Sequence, residues 1–170
     1  MAKTRYNTEI MEKKIVVAGG CFWGLEDLIR EVPGALETEA GYCGGSNDNP
    51  TYEQHPGHAE ALEITYDPEV IDYKHILDFF FQIHNPTTLN QQGNDKGTSY
   101  RSAIFYASEE EKQIAEEMID IVNESERWGD PVVTTLEPLT RFWPAEEYHQ
   151  DYLVKNPGGY TCHAIYFDSY

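Results

Sequence analysis

The order of strand-like and helix-like segments limits this chain to a small set of folds. A short run rich in β-branched residues (14–18) and the run SAIFYA (102–107) each predict a buried strand. Between them, residues 36–42 and 58–66 alternate along the chain as strands with one buried face do. Four strands are therefore predicted in this part of the chain.

Segments with helical spacing separate these strands. Apolar residues recur at intervals of three and four in 25–32, 73–84 and 109–125, and a further strand is predicted at 132–137. The order β-α-β-β-α-β-α-β predicts an α+β fold, a two-layer mixed α/β sandwich with a ferredoxin-like β-α-β-β-α-β core. Residues 145–153 are expected to add a last helical turn or two before an irregular C-terminal tail.

No repeat and no linker divides the 170 residues, so we expect a single domain over 1–170. Residues 1–13 are expected to be a polar N-terminal extension, and residues 155–170 a mobile tail. The N-terminus has no apolar signal segment, and no apolar stretch approaches membrane-spanning length. A cytoplasmic protein without a membrane partner is therefore expected.

The charge of the chain bears on its partners. Thirty Asp and Glu against twelve Lys and Arg give a formal net charge of −18. No basic stripe is present, which argues against a nucleic-acid partner. Such a surface is typical of a soluble protein that resists association, or of a chain adapted to high salt. We expect a monomer.

Cys21 is the first candidate for chemistry because it stands where a predicted strand enters a predicted helix. Unpaired backbone N–H groups and the helix dipole at such a junction favour thiolate over thiol. In a reducing cytoplasm the three cysteines are expected to be catalytic, redox-active or buried rather than a permanent disulfide framework. The neighbouring Trp23 lies outside the apolar stripe of the helix and is expected to form the wall of a small apolar pocket beside the sulfur, whereas Phe22 either joins this wall or packs into the core.

Glu60 is the second candidate, because strand alternation places its carboxyl on the apolar face of residues 58–66. A carboxyl in apolar surroundings has a raised pKa and can act as a general acid near neutral pH. A salt-bridged structural Glu is the alternative. By the same alternation Tyr42 points inward and Cys43 points away, while Tyr100 is another candidate inward hydroxyl.

Six blocks of this sequence together resemble the A-type peptide methionine sulfoxide reductases. The resemblance runs from residue 14 to 163, nearly the whole chain. The blocks are GCFWG (20–24), GYCGG (41–45), GHAE (57–60), QGNDKGTSYRSAIF (92–105), EEYHQDYL (146–153) and KNPGGYTCH (155–163).

The resemblance implies a definite reaction on the S epimer of methionine sulfoxide, free or in proteins. Thiolate Cys21 attacks the sulfoxide sulfur, and protonated Glu60 delivers a proton toward the oxygen. The hydroxyls of Tyr42 and Tyr100 hydrogen-bond that oxygen. Methionine leaves, and Cys21 becomes a sulfenic acid, which is a reversible oxidation state.

The resemblance also implies the remaining site residues. Phe22 and Trp23 hold the substrate methyl group, while Asp95 and His149 occupy supporting positions near the site. No metal and no organic cofactor is implied.

A second cysteine then condenses with the sulfenic acid, and thioredoxin reduces the resulting disulfide. Cys162 matches the recycling cysteine of the family, and the Asn-Pro-Gly-Gly run before it should let the tail swing over the site. Cys43, where the family more often has a small non-thiol residue, is a second relay or a bystander.

Two other functions fit parts of the pattern. A cysteine hydrolase or transferase would pair Cys21 with a histidine base, with His58, His149 and His163 as the choices. A metal-binding module would use Cys43 with His55 and His58, although this spacing matches no standard zinc site.

Overall fold

The computed structural model of the chain describes residues 11–170, and this range contains eight strands and four α-helices. The strands are β1 (Lys13–Gly19), β2 (Ala35–Cys43), β3 (Ala59–Tyr66), β4 (Gln91–Gln92), β5 (Asp95–Lys96), β6 (Ser102–Tyr106), β7 (Thr135–Pro138) and β8 (Phe142–Pro144). The helices are α1 (Phe22–Ile29), α2 (Tyr73–Ile83), α3 (Glu109–Ser125) and α4 (Tyr152–Lys155).

Six strands form one sheet in the order β7-β6-β1-β3-β2-β8. Its four central strands, β6-β1-β3-β2, pair antiparallel throughout, so β1-α1-β2 and β3-α2-β6 each cross over a neighbouring strand. This arrangement is the ferredoxin-like β-α-β-β-α-β core, and the predicted α+β fold is confirmed. The strands β7, parallel to β6, and β8, antiparallel to β2, extend the sheet at its two edges.

The main core lies between one face of the sheet and the helices. Helix α2 carries the densest apolar stripe, with Leu77, Phe80 and Phe81 fully buried. Burial of each such side chain stabilises the fold by roughly 2 kcal/mol. The carboxylate of Asp72 accepts a hydrogen bond from the backbone N–H of His75 at 2.8 Å and so caps this helix.

The other face of the sheet is also buried, under the chain that leads into β8. Small side chains dominate here, and Leu139 and Phe142 cover them. The cluster consists of Val16, Ala18, Cys43, Ala59, Ala61, Ala103 and Phe105. Because this second face is also buried, β3 has the small residues Ala59 and Ala61 at alternate positions. A sheet with one solvent-exposed face would have polar residues there.

Several boundaries differ from the sequence expectation. The strand predicted at 132–137 begins at Thr135, and β8 was not predicted because three residues ending in proline carry no alternation signal. A bulge in β2 between Ala35 and Glu37 leaves Leu36 exposed, although alternation placed it with Ala40 and Tyr42. The helix predicted at 145–153 is broken at Asp151, whose φ of 53° is left-handed.

The two ends of the chain can be compared with the predicted N-terminal extension and C-terminal tail. The predicted N-terminal extension lies outside the described residues up to residue 10, and Lys13 already belongs to β1. The tail is irregular, as expected, but hydrogen bonds hold its end: the Tyr170 hydroxyl donates to the Phe81 carbonyl at 2.7 Å. Within residues 11–170 no helix combines the length and the apolar character needed to cross a membrane.

Candidate active site

Cys21 lies at the turn between β1 and α1. Gly20 makes the turn with a φ of +92°, a conformation that favours glycine, and Cys21 is the N-cap residue of α1. The thiol is 6% exposed, so this junction is nearly enclosed. The predicted strand-to-helix position of Cys21 is therefore confirmed.

Glu60 is buried directly against this turn. Its Oε1 accepts a hydrogen bond from the backbone N–H of Phe22 at 3.1 Å, and the side chain is 1% exposed. Burial raises the pKa of Glu60 to about 8; the hydrogen bond from Phe22 opposes this shift, and the nearby charge of Asp95 adds to it. At neutral pH most of this carboxyl is protonated, as its place on the apolar face predicted.

The pKa of the Cys21 thiol is raised, whereas its position at the start of a helix predicted a lowered pKa. Burial and the negative charge of Glu60 raise its pKa, while the hydrogen bond from the backbone N–H of Trp23 lowers it less. Helix α1 has only eight residues, and its terminal N–H groups do not offset the loss of solvent. At neutral pH the site therefore holds a thiol next to a protonated carboxyl.

Trp23 forms a fixed aromatic wall beside Cys21. Its ring stacks on Tyr152 at 3.8 Å between centroids, and its Nε1–H donates to His149 Nδ1 at 2.9 Å. Phe22 is fully buried, with its ring 5.1 Å from that of His149. Burial lowers the pKa of His149, so this residue is a neutral acceptor that orients the indole.

The two tyrosines expected at the site have different environments. The Tyr42 hydroxyl donates to Glu146 Oε1 at 2.8 Å, and its ring is fully buried. Burial raises the pKa of Tyr100, and the negative charge of Glu60 raises it further, which places its hydroxyl near the carboxyl. The charge of Glu60 also adds to the raised pKa of Tyr42, after burial and Glu146, so both hydroxyls lie near this carboxyl and that of Tyr42 donates to Glu146.

Tyr52 is a site residue that the sequence did not reveal. The pKa of its hydroxyl is raised by burial and by the charges of Glu60 and Cys21, so this hydroxyl lies near the same groups as that of Tyr100. Its backbone N–H donates to Glu146 Oε2 at 2.9 Å, the carboxylate that also binds Tyr42. Tyr52 therefore joins the expected Tyr42 and Tyr100 as a third hydroxyl near Glu60. Tyr52 lies in an irregular loop, where no periodicity could have singled it out.

The tail brings Cys162 to the same turn. After burial, Glu60 and Asp95, the charge of Cys162 adds to the raised pKa of Cys21, so the two thiols lie close together, and burial raises the pKa of Cys162 as well. The Cys162 sulfur is 3.9 Å from the Gln92 carbonyl oxygen. Asp95 accepts from the Tyr160 hydroxyl at 3.1 Å and adds negative charge to this side of the site. The two thiols are neighbours, and neither forms a disulfide.

Cys43 lies on the opposite face of β2 from Tyr42, as alternation predicted, but that face is buried rather than wet. Its sulfur donates to the Arg141 carbonyl at 3.3 Å. Burial and the charge of Glu137 raise its pKa to about 12. The structure does not bring Cys43 to the site of Cys21.

The histidines required by a hydrolase are engaged elsewhere. His58 Nδ1 accepts from the Gly45 N–H at 3.0 Å, and its Nε2 bonds the Asn47 carbonyl at 2.9 Å. His163 Nε2 bonds the Gly19 carbonyl, and His149 accepts from Trp23. In the part of the chain that the structure describes, no three His, Cys, Asp or Glu side chains are grouped to hold a metal ion, so the metal-module hypothesis gains no support.

Comparison with known proteins points to one family. The family model described as peptide methionine sulfoxide reductase matches residues 13–168. Over 151 residues the chain is 58% identical to the peptide methionine sulfoxide reductase MsrA of Nocardia farcinica, covering 89% of each chain.

Solved structures give the same result. The methionine sulfoxide reductase A of Corynebacterium diphtheriae superposes with a TM-score of 0.84 at 33% identity, covering 91% of this chain and 79% of that one. Saccharomyces cerevisiae Mxr1 in complex with Trx2 superposes with a TM-score of 0.61 at 30% identity, covering 91% of this chain and 89% of that one.

The raised pKa of Glu60 predicts how stability depends on pH. The unfolded chain ionises this carboxyl near 4.5, whereas the folded chain holds the proton to about 8. The stabilising contribution is therefore complete below 4.5 and is lost as pH rises toward 8. Glu60→Gln, which stays neutral, should gain up to a few kcal/mol on the wild type between pH 5 and pH 9.

Urea unfolding at pH 5, 7 and 9 measures this difference. Glu63→Gln, on the opposite face of β3 beside Lys14, is the matched control and should decline with pH as the wild type does. Parallel curves for wild type and Glu60→Gln would show that Glu60 is already ionised at pH 5.

Proposed function

The chain belongs to the peptide methionine sulfoxide reductase family, and we propose that Cys21 and Glu60 perform its reaction on methionine S-sulfoxide, free or in proteins. One observation carries the assignment of these residues: Glu60 accepts the N–H of Phe22, the residue after Cys21, and is buried enough to stay protonated. A general acid is thereby fixed beside a nucleophile in a nearly dry site.

In the first half of the cycle, oxygen passes from the substrate sulfur to the sulfur of Cys21. The Cys21 thiol loses its proton as its sulfur bonds to the sulfoxide sulfur, and Glu60 protonates the sulfoxide oxygen. The new S–S bond and the substrate S–O bond then break as this oxygen bonds to the Cys21 sulfur, so methionine is released and Cys21 is left as a sulfenic acid. The thiol proton ends on the sulfenic hydroxyl or on Glu60, which is then protonated again. Two electrons pass from the Cys21 sulfur to the substrate sulfur, and no net proton is released.

The other site residues bind and orient the substrate. Phe22 and Trp23 hold the methyl group, and the stacking of Trp23 on Tyr152 fixes the indole in place. Tyr52 and Tyr100 donate hydrogen bonds to the sulfoxide oxygen as it gains negative charge. His149 holds the indole N–H, and Asp95 contributes charge, so both act through their neighbours.

The second half of the cycle regenerates Cys21. The Cys162 thiol attacks the sulfenic acid, a disulfide forms, and water leaves with the hydroxyl of Cys21. Thioredoxin reduces this disulfide by dithiol exchange and becomes oxidised itself. The neighbouring positions of Cys21 and Cys162 support this assignment, as does the complex that Mxr1 forms with Trx2. Cys43 is a bystander.

The expected setting of the reaction follows from its reductant. Thioredoxin keeps thiols reduced in the cytoplasm, and we place the enzyme there as a single-domain monomer. Methionine sulfoxide is a common product of oxidative damage, so the enzyme repairs oxidised proteins.

The direct test is reduction of the separated sulfoxide epimers with dithiothreitol. We expect the S epimer to be reduced to methionine and the R epimer to stay largely unreacted. Cys21→Ser should abolish the activity because it removes the nucleophile, and Cys162 acts only on the sulfenic acid that forms on Cys21. A folded wild-type protein that leaves the S epimer untouched would overturn the proposed function.

The roles of the two tyrosines can be separated by matched variants. Tyr52→Phe removes a donor to the sulfoxide oxygen and should lower kcat on the order of tenfold to a hundredfold, since Tyr100 still donates. Tyr42→Phe removes only a hydrogen bond to Glu146 and should lower kcat a few-fold at most. Steady-state kinetics with dithiothreitol measures both, and a larger loss in Tyr42→Phe would restore the sequence prediction.

The recycling role of Cys162 has its own signature. Cys162→Ser should release one methionine per chain without reductant and then stop turning over with thioredoxin. Cys43→Ser is the control and should turn over as the wild type does. Normal thioredoxin-dependent turnover of Cys162→Ser would mean that Cys43 resolves, or that thioredoxin reduces the sulfenic acid directly.

A further inference from the structure

His163 differs from every other residue of the tail in its burial. In residues 155–170 it is the single buried side chain, whereas Thr161 and Ala164 are exposed and Cys162 is half-buried. A tail that only covers the surface has no need to bury an imidazole. The burial of His163 indicates that this residue attaches the tail to the body of the protein.

The attachment point is the turn that carries Cys21. His163 Nε2 lies 2.6 Å from the carbonyl oxygen of Gly19, the last residue of β1. Because a carbonyl only accepts, Nε2 carries the proton and donates. Burial lowers the pKa of His163, which keeps the ring neutral and in this tautomer. One buried hydrogen bond thus joins the residue after Cys162 to a residue two positions before Cys21.

Gly24 provides the space in which this contact forms. A Cβ at Gly24 would approach His163 Nδ1 to 2.5 Å and would clash with Thr161 Oγ1. Gly24 has no left-handed backbone that would require glycine, so the close approach of the tail is what excludes a side chain. The first turn of α1 is therefore shaped to receive residues 161–163.

The seated tail holds Cys162 beside Cys21. Cys162 lies against Gly93, where a Cβ would come within 3.1 Å of the Cys162 Cβ, and its charge adds to the raised pKa of Cys21. His163 Nδ1 is 4.0 Å from the Cys162 sulfur. Disulfide formation needs the two Cα atoms within about 7 Å of each other, and the seat holds the tail at this turn while both cysteines are still reduced.

We propose that His163 is a positioning residue for the resolving step, which docks Cys162 next to Cys21 through the Gly19 carbonyl in the gap left by Gly24. This inference rests on the proposed reductase function. In the step it assists, the S–H of Cys162 and the S–OH of Cys21 give one S–S bond and water. The oxidising equivalent comes from the methionine sulfoxide already reduced.

A single-turnover experiment without reductant tests the proposal. Excess S-sulfoxide is added, samples are quenched in time, and mass spectrometry follows methionine, sulfenic acid trapped by dimedone, and the disulfide. His163→Ala should release methionine at the wild-type rate but form the disulfide roughly tenfold more slowly, the size expected for losing one buried hydrogen bond. Dimedone adduct on Cys21 should accumulate in this variant.

Two further variants separate docking from packing. His163→Gln keeps an N–H donor and should restore much of the disulfide rate, whereas His163→Phe keeps a ring without a donor and should not. If His163→Ala fails to fold, this pair decides the matter. Ser169→Ala removes a distant attachment of the same tail, the hydrogen bond to Asp78 at 2.6 Å, and should form the disulfide as fast as the wild type.

The outcomes distinguish the two proposals. Wild-type protein that releases no methionine would overturn the reductase function itself. Wild-type protein that releases methionine, together with His163→Ala and His163→Phe that form the disulfide at the wild-type rate, would overturn only the role of His163. A His163→Gln variant as slow as His163→Phe would also overturn docking through the Nε2 donor.

Discussion

The hydrogen bond from the Phe22 N–H to Glu60 joins the two parts of the molecule on which the chemistry depends. One partner belongs to the first turn of α1 and the other to the centre of the sheet, 38 residues later in the chain. The antiparallel pairing of β1 with β3 sets the register that brings them together. The bond also replaces part of the solvation that Glu60 loses on burial, so a protonatable group can remain inside an apolar core.

The same burial that keeps Glu60 protonated also makes the Cys21 thiol harder to ionise. Both pKa values rise because the turn is closed to water, and the charge of an ionised Glu60 would raise that of Cys21 further. A protonated Glu60 removes that repulsion. In the proposed reaction the pair therefore behaves as one unit, in which Glu60 passes its proton to the substrate oxygen and takes up the proton that the thiol loses.

The segment from β8 to α4 holds the site from the other side. His149 and Tyr152 fix the Trp23 ring, while Glu146 ties the Tyr42 hydroxyl to the backbone of Tyr52. Their effect is to hold aromatic rings and a loop rigidly around a pocket, which reduces the motion that must be lost when substrate binds.

The sequence by itself determined the β-α-β-β-α-β core, the junction at Cys21 and the buried face that carries Glu60. Periodicity reports which side of a strand or helix faces the core, and these features depend on nothing else. Only the tertiary structure decided that Tyr52 also lies at the site, that Cys43 is buried on the far side of the sheet, and that the Cys21 thiol is hard to ionise. An irregular segment has no periodic pattern from which the direction of a side chain could be predicted. A pKa depends on the solvent and the charges that the whole fold brings near a group.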